Sequence, residues 1–228
     1  MRRAIEQLAA EFLGTFLVVF FVSGALIAGP WQQAAGESGF ATLCAALAYG
    51  LAVAVTIEIA GPISGGHLNP AISLGAWAAR KIGGWRLLGY ALVQILAGFA
   101  AARTLAAILP QSAWRAAGLG APVLNASLSR VQGMTMEAVL TFAVALVFFR
   151  SASASGKPNG WAVGAVIAAA VIVAMPATGA GLNPARVLGP AFLSDHWANQ
   201  GVWWVGPLVG SVLGAWCAGA FGSTQGVA

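Results

Sequence analysis

Two tripeptides, Asn69-Pro70-Ala71 and Asn183-Pro184-Ala185, carry the most specific chemistry in this chain. Asn is a strong helix N-cap, and Pro is favoured at the first helical position because its missing N–H costs nothing there. Each tripeptide therefore reads as a helix start. A helix start carries about half a positive charge, and the Asn side chain adds NH₂ donors. Two such starts facing each other inside a membrane make a positive centre lined by amides. A water molecule between them accepts from both, so its own hydrogens point outward. That orientation interrupts proton hopping along a file of waters, and the local field opposes cations. A single Asn-Pro is an ordinary turn or cap signal; two at matching places in two similar halves are the informative feature.

Four more residues belong to the same constellation. Arg186 directly follows the second tripeptide, and a charge inside an apolar segment marks a functional position. Its alternative is to snorkel to the outer interface. His67 lies two residues before Asn69 and is a candidate for a pore vestibule or a loop anchor. Glu11 and Glu137 stand at the start of similar segments, Glu11-Phe12-Leu13-Gly14-Thr15-Phe16 and Glu137-Ala138-Val139-Leu140-Thr141-Phe142. Buried carboxylates at equivalent points suit either scaffolding of the loops or proton coupling in a transporter. Glu58 is a further carboxylate near the inner end of the second apolar run. It is expected at the interface or in vestibule water, with pH gating as the alternative.

The elements that position these residues follow from composition. Of 228 residues, 59% are hydrophobic and 7% charged, with a mean hydropathy of +0.83. Soluble domains carry about 25% charge, so this is an integral membrane protein. The length holds about six spans of ~20 residues and leaves no room for an added soluble domain. The net charge of +5 gives no case for nucleic acid, because the basic residues lie between apolar runs as topology determinants do. Cys44 and Cys217 fall inside apolar runs and read as small buried residues. Met1-Arg2-Arg3 precedes an apolar run that is long enough to span and contains Glu11, so it reads as a retained first helix rather than a cleaved signal. No Ser/His/Asp set, phosphate loop, metal cluster or cofactor motif is visible, and His67 and His196 lie in separate halves. The chain does not read as an enzyme.

Apolar runs predict helices at 8–28, 39–60, 84–109, 131–150, 160–177 and 201–221. Shorter apolar pieces at 70–79 and 184–193 follow the tripeptides and, at 1.5 Å per residue, reach about half of a ~30 Å hydrocarbon core. Irregular backbone at membrane depth is tolerated only where protein buries it or water lines it. The two loops are therefore expected to re-enter the membrane and meet. Three full helices per half force the second half to insert upside down. The fold class is all-α: six transmembrane helices and two re-entrant half-helices in an inverted repeat, one channel domain over 1–228 with repeats at about 1–109 and 131–228. Sites in such folds lie near the midplane at the repeat interface. Small residues recur four apart at Ala46, Gly50 and Ala54, at Gly160, Gly164 and Ala168, and at Gly206, Gly210, Gly214 and Ala218, as close helix packing requires. Arg2, Arg3, Arg80, Lys81, Arg86, Arg150 and Lys157 outnumber Arg103, Arg115 and Arg130 across the alternating loops, which places both termini in the cytoplasm. Trp31, Trp85, Trp161 and Trp203 fall near helix ends, where interfacial Trp is enriched. Ser151 to Gly160 reads as a short cytoplasmic connector.

Ser64-Gly65-Gly66-His67-Leu68-Asn69-Pro70-Ala71 and Gly181-Leu182-Asn183-Pro184-Ala185-Arg186 resemble the signature loops of the aquaporins, the major intrinsic protein family. The resemblance covers essentially the whole chain. It implies a right-handed helix bundle, one pore per subunit and a homotetramer in the lipid bilayer, passing water or small neutral solutes. It implies that Glu11 and Glu137 accept hydrogen bonds from the re-entrant loops. Half-helix dipoles and an Arg are the proton and cation barrier of aquaporin-type pores, and Arg186 matches that Arg. The narrowest point is implied at Tyr49, Val171, Ala180 and Arg186. Strict water channels usually have His where Val171 stands, so the constriction is expected to be wider and less polar, resembling the nodulin-type subgroup, although Tyr49 stands where that group often has Trp. Val187 and Ala191 depart from the glycerol facilitators, and Trp203-Trp204 resembles the aromatic pair of water channels. Ala180 replaces the mercury-sensitive cysteine, and Pro62 replaces a frequent His. The expected function is a passive channel for water and small uncharged solutes such as glycerol and metalloid acids, excluding protons and ions. A strict water channel or a proton-coupled secondary transporter is the alternative. The short loops favour a bacterial inner membrane.

Overall fold

The computed structural model describes residues 2–32 and 38–220. The helices are α1 (Arg2–Gln32), α2 (Ser38–Ser64), α3 (Pro70–Ala78), α4 (Gly84–Ile108), α5 (Gln111–Ala116), α6 (Arg130–Ser155), α7 (Gly160–Thr178), α8 (Pro184–Ser194) and α9 (Gly201–Ala220), with a 3₁₀ turn at Gly118–Gly120. Among the described residues, six helices are long and apolar enough to cross a membrane. Helices α3 and α8, of nine and eleven residues, reach only about 15 Å at 1.5 Å per residue. Six spans and two half-helices are thus present.

Several helices run past their sequence-based limits. The first apolar run continues through Arg2 at one end and Gln32 at the other, because hydropathy marks the lipid-immersed part of a helix and not its solvated turns. Helix α2 passes through Pro62 to Ser64; a Pro this close to the end disturbs little, and the Gly65 N–H still reaches the Gly61 carbonyl at 3.0 Å. Helix α6 extends to Ser155, so the connector before α7 shrinks to the few residues from Gly156, a left-handed C-cap, to Asn159, which caps Ala162 N. The short helix α5 and the 3₁₀ turn were not foreseen; six residues carry too little periodicity to register.

Side-chain distribution is that of a protein whose solvent is lipid. Leu43, Leu47, Leu51, Val55 and Ile59 form one exposed apolar stripe on α2, and Leu88, Leu92 and Leu96 another on α4. The polar residues turn inward: Glu11, Thr15, Gln94, Glu137, Thr141 and Arg186 are all fully buried. Trp85 and Trp161 are exposed, whereas Trp203 is buried, so Trp203 is not an interfacial anchor. The side chain of Trp31 lies outside the described residues.

Small residues set the helix contacts. A Cβ on Gly50 would meet the Gly164 carbonyl and Ala168, and one on Gly160 would meet the Ala54 carbonyl, so α2 and α7 touch backbone to backbone. The stripe on α9 does the same against α6, with Gly206 at Glu137, Gly210 at the Ala138 carbonyl and Gly214 at the Phe142 carbonyl. Such seams hold by van der Waals packing in lipid, where no hydrophobic force draws helices together. Helix α8 lies on α4, with Gly98 under Ala185 and Gly189, while α3 lies on α9, with Gly75 against Ser211. Each half-helix thus seats on the last long helix of the opposite half, the reciprocal arrangement of an inverted repeat.

Candidate functional site

The two half-helix starts meet. Asn69 is extended at φ −159°, ψ 122°, and its side chain accepts from Ala71 N at 2.8 Å. Asn183 is extended at φ −147°, ψ 110°, and accepts from Ala185 N at 3.0 Å and Arg186 N at 3.4 Å. Each amide also reaches across the repeat. Asn69 Nδ2 donates to the Leu182 carbonyl at 3.0 Å, and Asn183 Nδ2 donates to the Leu68 carbonyl at 2.9 Å. An amide NH₂ has two hydrogens, so one N–H per Asn remains. Both Asn residues line one narrow cavity.

The crossed bonds depend on an unusual backbone. Leu68 and Leu182 both adopt positive φ, 54° and 57°, a region that L-residues occupy at a cost and that persists where surroundings over-determine it. The buried carboxylates do so here. Glu11 accepts from Ser64 Oγ at 2.6 Å, His67 N at 2.9 Å, Leu68 N at 2.7 Å and Gln94 Nε2 at 2.8 Å. Glu137 accepts from Thr178 Oγ1 at 2.6 Å, Gly181 N at 2.9 Å and Leu182 N at 2.7 Å. Ser64 and Thr178, His67 and Gly181, Leu68 and Leu182, Asn69 and Asn183 are separated by one constant offset, so the two sites are copies. A second pair of props repeats the symmetry: Tyr90 Oη donates to the Ser64 carbonyl at 2.7 Å, and Trp203 Nε1 donates to the Thr178 carbonyl at 2.9 Å.

The copies differ in one respect. Gln94 on α4 bridges Glu11 and Ser73, and Ser73 in turn contacts His67 Nδ1 at 3.1 Å. The second half lacks that amide. It carries a cation, Arg186, in the first turn of α8. Arg186 is fully buried, and its Nε, Nη1 and Nη2 have no hydrogen-bond partner in the protein. It does not snorkel. A guanidinium is a planar fork of five N–H donors that stays protonated, and here none of the three nitrogens is spent on a protein acceptor.

The remaining expected site residues fall as follows. Tyr49 and His67 line the same cavity as the two Asn residues. The backbone N–H of His67 also donates to Glu11 at 2.9 Å, so the residue is tied to the loop's carboxylate. Tyr49 donates to the Gly181 carbonyl at 3.2 Å. Val171 and Ala180 are fully buried and share a core cluster with Tyr49; they and Arg186 are not part of the cavity wall, to which α7 contributes Val163 and Ile167. Pro70, Ala71, Pro184 and Ala185 are buried in the first turns of the half-helices. Sequence reasoning missed Ser64, Gln94, Tyr90, Thr178 and the Leu68 and Leu182 carbonyls. Gln94, a lone amide in an apolar run, was the available signal; aligning the halves through the Asn residues would have paired Ser64 with Thr178. Glu58 is partly exposed and has partners that the sequence did not indicate: it pairs with Lys157 at 3.0 Å and accepts from Gly160 N at 2.9 Å.

Known proteins resemble this chain in sequence and in fold. A family model described as Major intrinsic protein matches residues 2–218. The chain is 38% identical to the lens fiber major intrinsic protein of Gallus gallus, over 92% of this chain and 79% of that protein. It is 36% identical to aquaporin TIP4-4 of Zea mays, over 92% and 83%, and 35% identical to human aquaporin-5, over 92% and 78%. Among solved structures, the aquaglyceroporin from Plasmodium falciparum superposes with a TM-score of 0.78 at 26% identity, covering 97% of this chain and 96% of that one. Paired half-helix caps, six spans and relatives matched along nearly the full length agree: this chain belongs to the major intrinsic protein family, the aquaporins.

Proposed function

We propose that this channel passes water and small uncharged solutes, glycerol and undissociated metalloid acids among them, and holds back protons and ions. The observation that carries the reading is the crossed pair of Asn69 and Asn183 over one cavity, each with one amide hydrogen left to donate. Waters that accept from both amides cannot relay a proton between them, and the two helix starts add positive potential where a cation would pass. Arg186, buried in the first turn of α8, adds a full positive charge. In this reading Asn69-Pro70-Ala71 and Asn183-Pro184-Ala185 are the pore centre, Tyr49, Val171, Ala180 and Arg186 the narrowest point, and His67 a vestibule residue. Val171 and Ala180 support the broader solute range, because two small apolar side chains leave width where an imidazole would fill it. The aquaglyceroporin name of the structural neighbour is in keeping with that range. The channel unit spans 1–228 with repeats at about 1–109 and 131–228. It sits as a homotetramer in a cell inner membrane with both termini cytoplasmic, as the basic-residue excess on that side supports.

The geometry of Glu11 and Glu137 favours scaffolding over proton coupling. Glu11 and Glu137 are fully buried, and both oxygens of each already accept from the protein.

Stopped-flow light scattering on proteoliposomes tests the reading. Fast water flux with measurable glycerol, urea or arsenite uptake is expected. Water flux without any solute uptake would reduce the protein to a strict water channel. A companion variant, Val171→His, is expected to cut solute uptake more than water flux. Equal loss of both would mean that Val171 is not at the narrowest point.

A further inference from the structure

Glu58 has no part in the pore chemistry described above, yet its two oxygens join separate elements. Oε2 takes Lys157 Nζ at 3.0 Å on the connector between α6 and α7, and Oε1 takes the Gly160 N–H at 2.9 Å, the first residue of α7. The first N–H groups of a helix have no partner within the helix and attract negative charge. Asn159 satisfies Ala162 N from within the chain segment; Glu58 satisfies Gly160 N from another helix. Among the described residues this is the side-chain hydrogen bond that ties α2 to α7. Elsewhere along the seam Gly50, Gly160 and Gly164 let the two backbones touch, and Val53 and Ile57 of α2 share a core cluster with Val163 and Ile167 of α7, contacts that carry no directional bond. The same two helices supply facing parts of the cavity wall, Val53 and Ile57 from α2, Val163 and Ile167 from α7. Ile57 is the neighbour of Glu58, and Val163 lies one turn from Gly160.

We propose that Glu58 is a positioning residue for the conduit: by capping α7 from α2 it fixes the register of two helices that wall the cavity. The Lys157 pair is partly exposed, with side chains at 44% and 34%, and such pairs contribute little. The cap is the principal bond, and the Lys157 pair adds little to it. Glutamine keeps an acceptor for Gly160 N and loses only the ion pair; alanine loses both.

The flux arm of the test rests on the channel reading above, and the distance arm does not. Spin labels at the exposed positions Ile59 and Trp161, in a background with Cys44 and Cys217 changed to Ser, report the α2–α7 separation by pulsed electron resonance. For Glu58→Ala the distance distribution is expected to broaden and water permeability per folded channel to fall about threefold, while Glu58→Gln and Lys157→Ala stay within about 1.5-fold of the parent. Glu58→Asp, whose shorter arm cannot reach both partners, replaces the alanine variant should that one fail to insert. An unchanged distribution and flux in Glu58→Ala overturns the proposal, as does a Glu58→Gln variant as impaired as alanine. If the parent itself conducts nothing, the channel reading fails, and the distance distributions alone decide the role of Glu58.

Discussion

Glu137→Ala is expected to remove the folded channel from the membrane. The substitution leaves the Thr178 hydroxyl and the N–H groups of Gly181 and Leu182 without an acceptor in a fully buried site. Each orphaned buried donor costs about 1–3 kcal/mol, so three cost about 5 kcal/mol, comparable to the whole margin of a typical fold, about 5–15 kcal/mol. Leu182 would also lose the bond that holds its left-handed backbone, and with it the carbonyl that Asn69 uses. Glutamine recovers only part of the loss. Its Oε1 can serve one side, but its NH₂ then meets a donor at the other. Monodisperse protein after detergent extraction, followed by thermal melting, should rank parent, Glu137→Gln and Glu137→Ala in falling order. An alanine variant as abundant and as heat-stable as the parent would show that the second loop is held by something other than this carboxylate.

Arg186→Val is expected to open the channel to cations while sparing water. Two unit charges 4 Å apart at an effective dielectric of 20 repel by about 4 kcal/mol, roughly a thousandfold in occupancy. The half-helix starts at Asn69 and Asn183 stay in place in the variant and keep part of the barrier, so the expected rise in proton or sodium conductance is roughly tenfold or more. Water flux should stay within about twofold, because valine narrows nothing. The comparison is made on protein first shown to be folded, since Arg186 also lies in the field of Glu137. Dye-loaded vesicles under a pH gradient read the proton arm. A variant as tight as the parent would move the barrier to the Asn pair alone.

The fold was legible because lipid imposes a coarse rule. Long apolar runs span and short ones after a cap cannot, so composition and Asn-Pro spacing give six spans and two half-helices. The buried carboxylates stood out through repetition, since Glu11 and Glu137 open similar segments; repetition suited loop scaffolding and proton coupling alike, and the loop-acceptor role followed from the family resemblance. What lay hidden depends on rotation about helix axes. Hydropathy runs cannot say which way Trp203 points, and it turns inward to prop Thr178. They cannot foresee that Glu58 reaches another helix, because its partners, Lys157 and Gly160, are distant in the chain. The positive φ of Leu68 and Leu182 was also invisible, since leucine is not a residue that announces a left-handed backbone.

The central claim is a conduit that is permeable to water and closed to H⁺. Both can be read in one preparation: vesicles loaded with a pH-sensitive dye, given first an osmotic step and then a pH step. Rapid shrinkage with a low activation energy, together with proton flux no greater than that of bare vesicles, is the result expected. Shrinkage no faster than bare lipid, or acidification that keeps pace with water, would contradict the account.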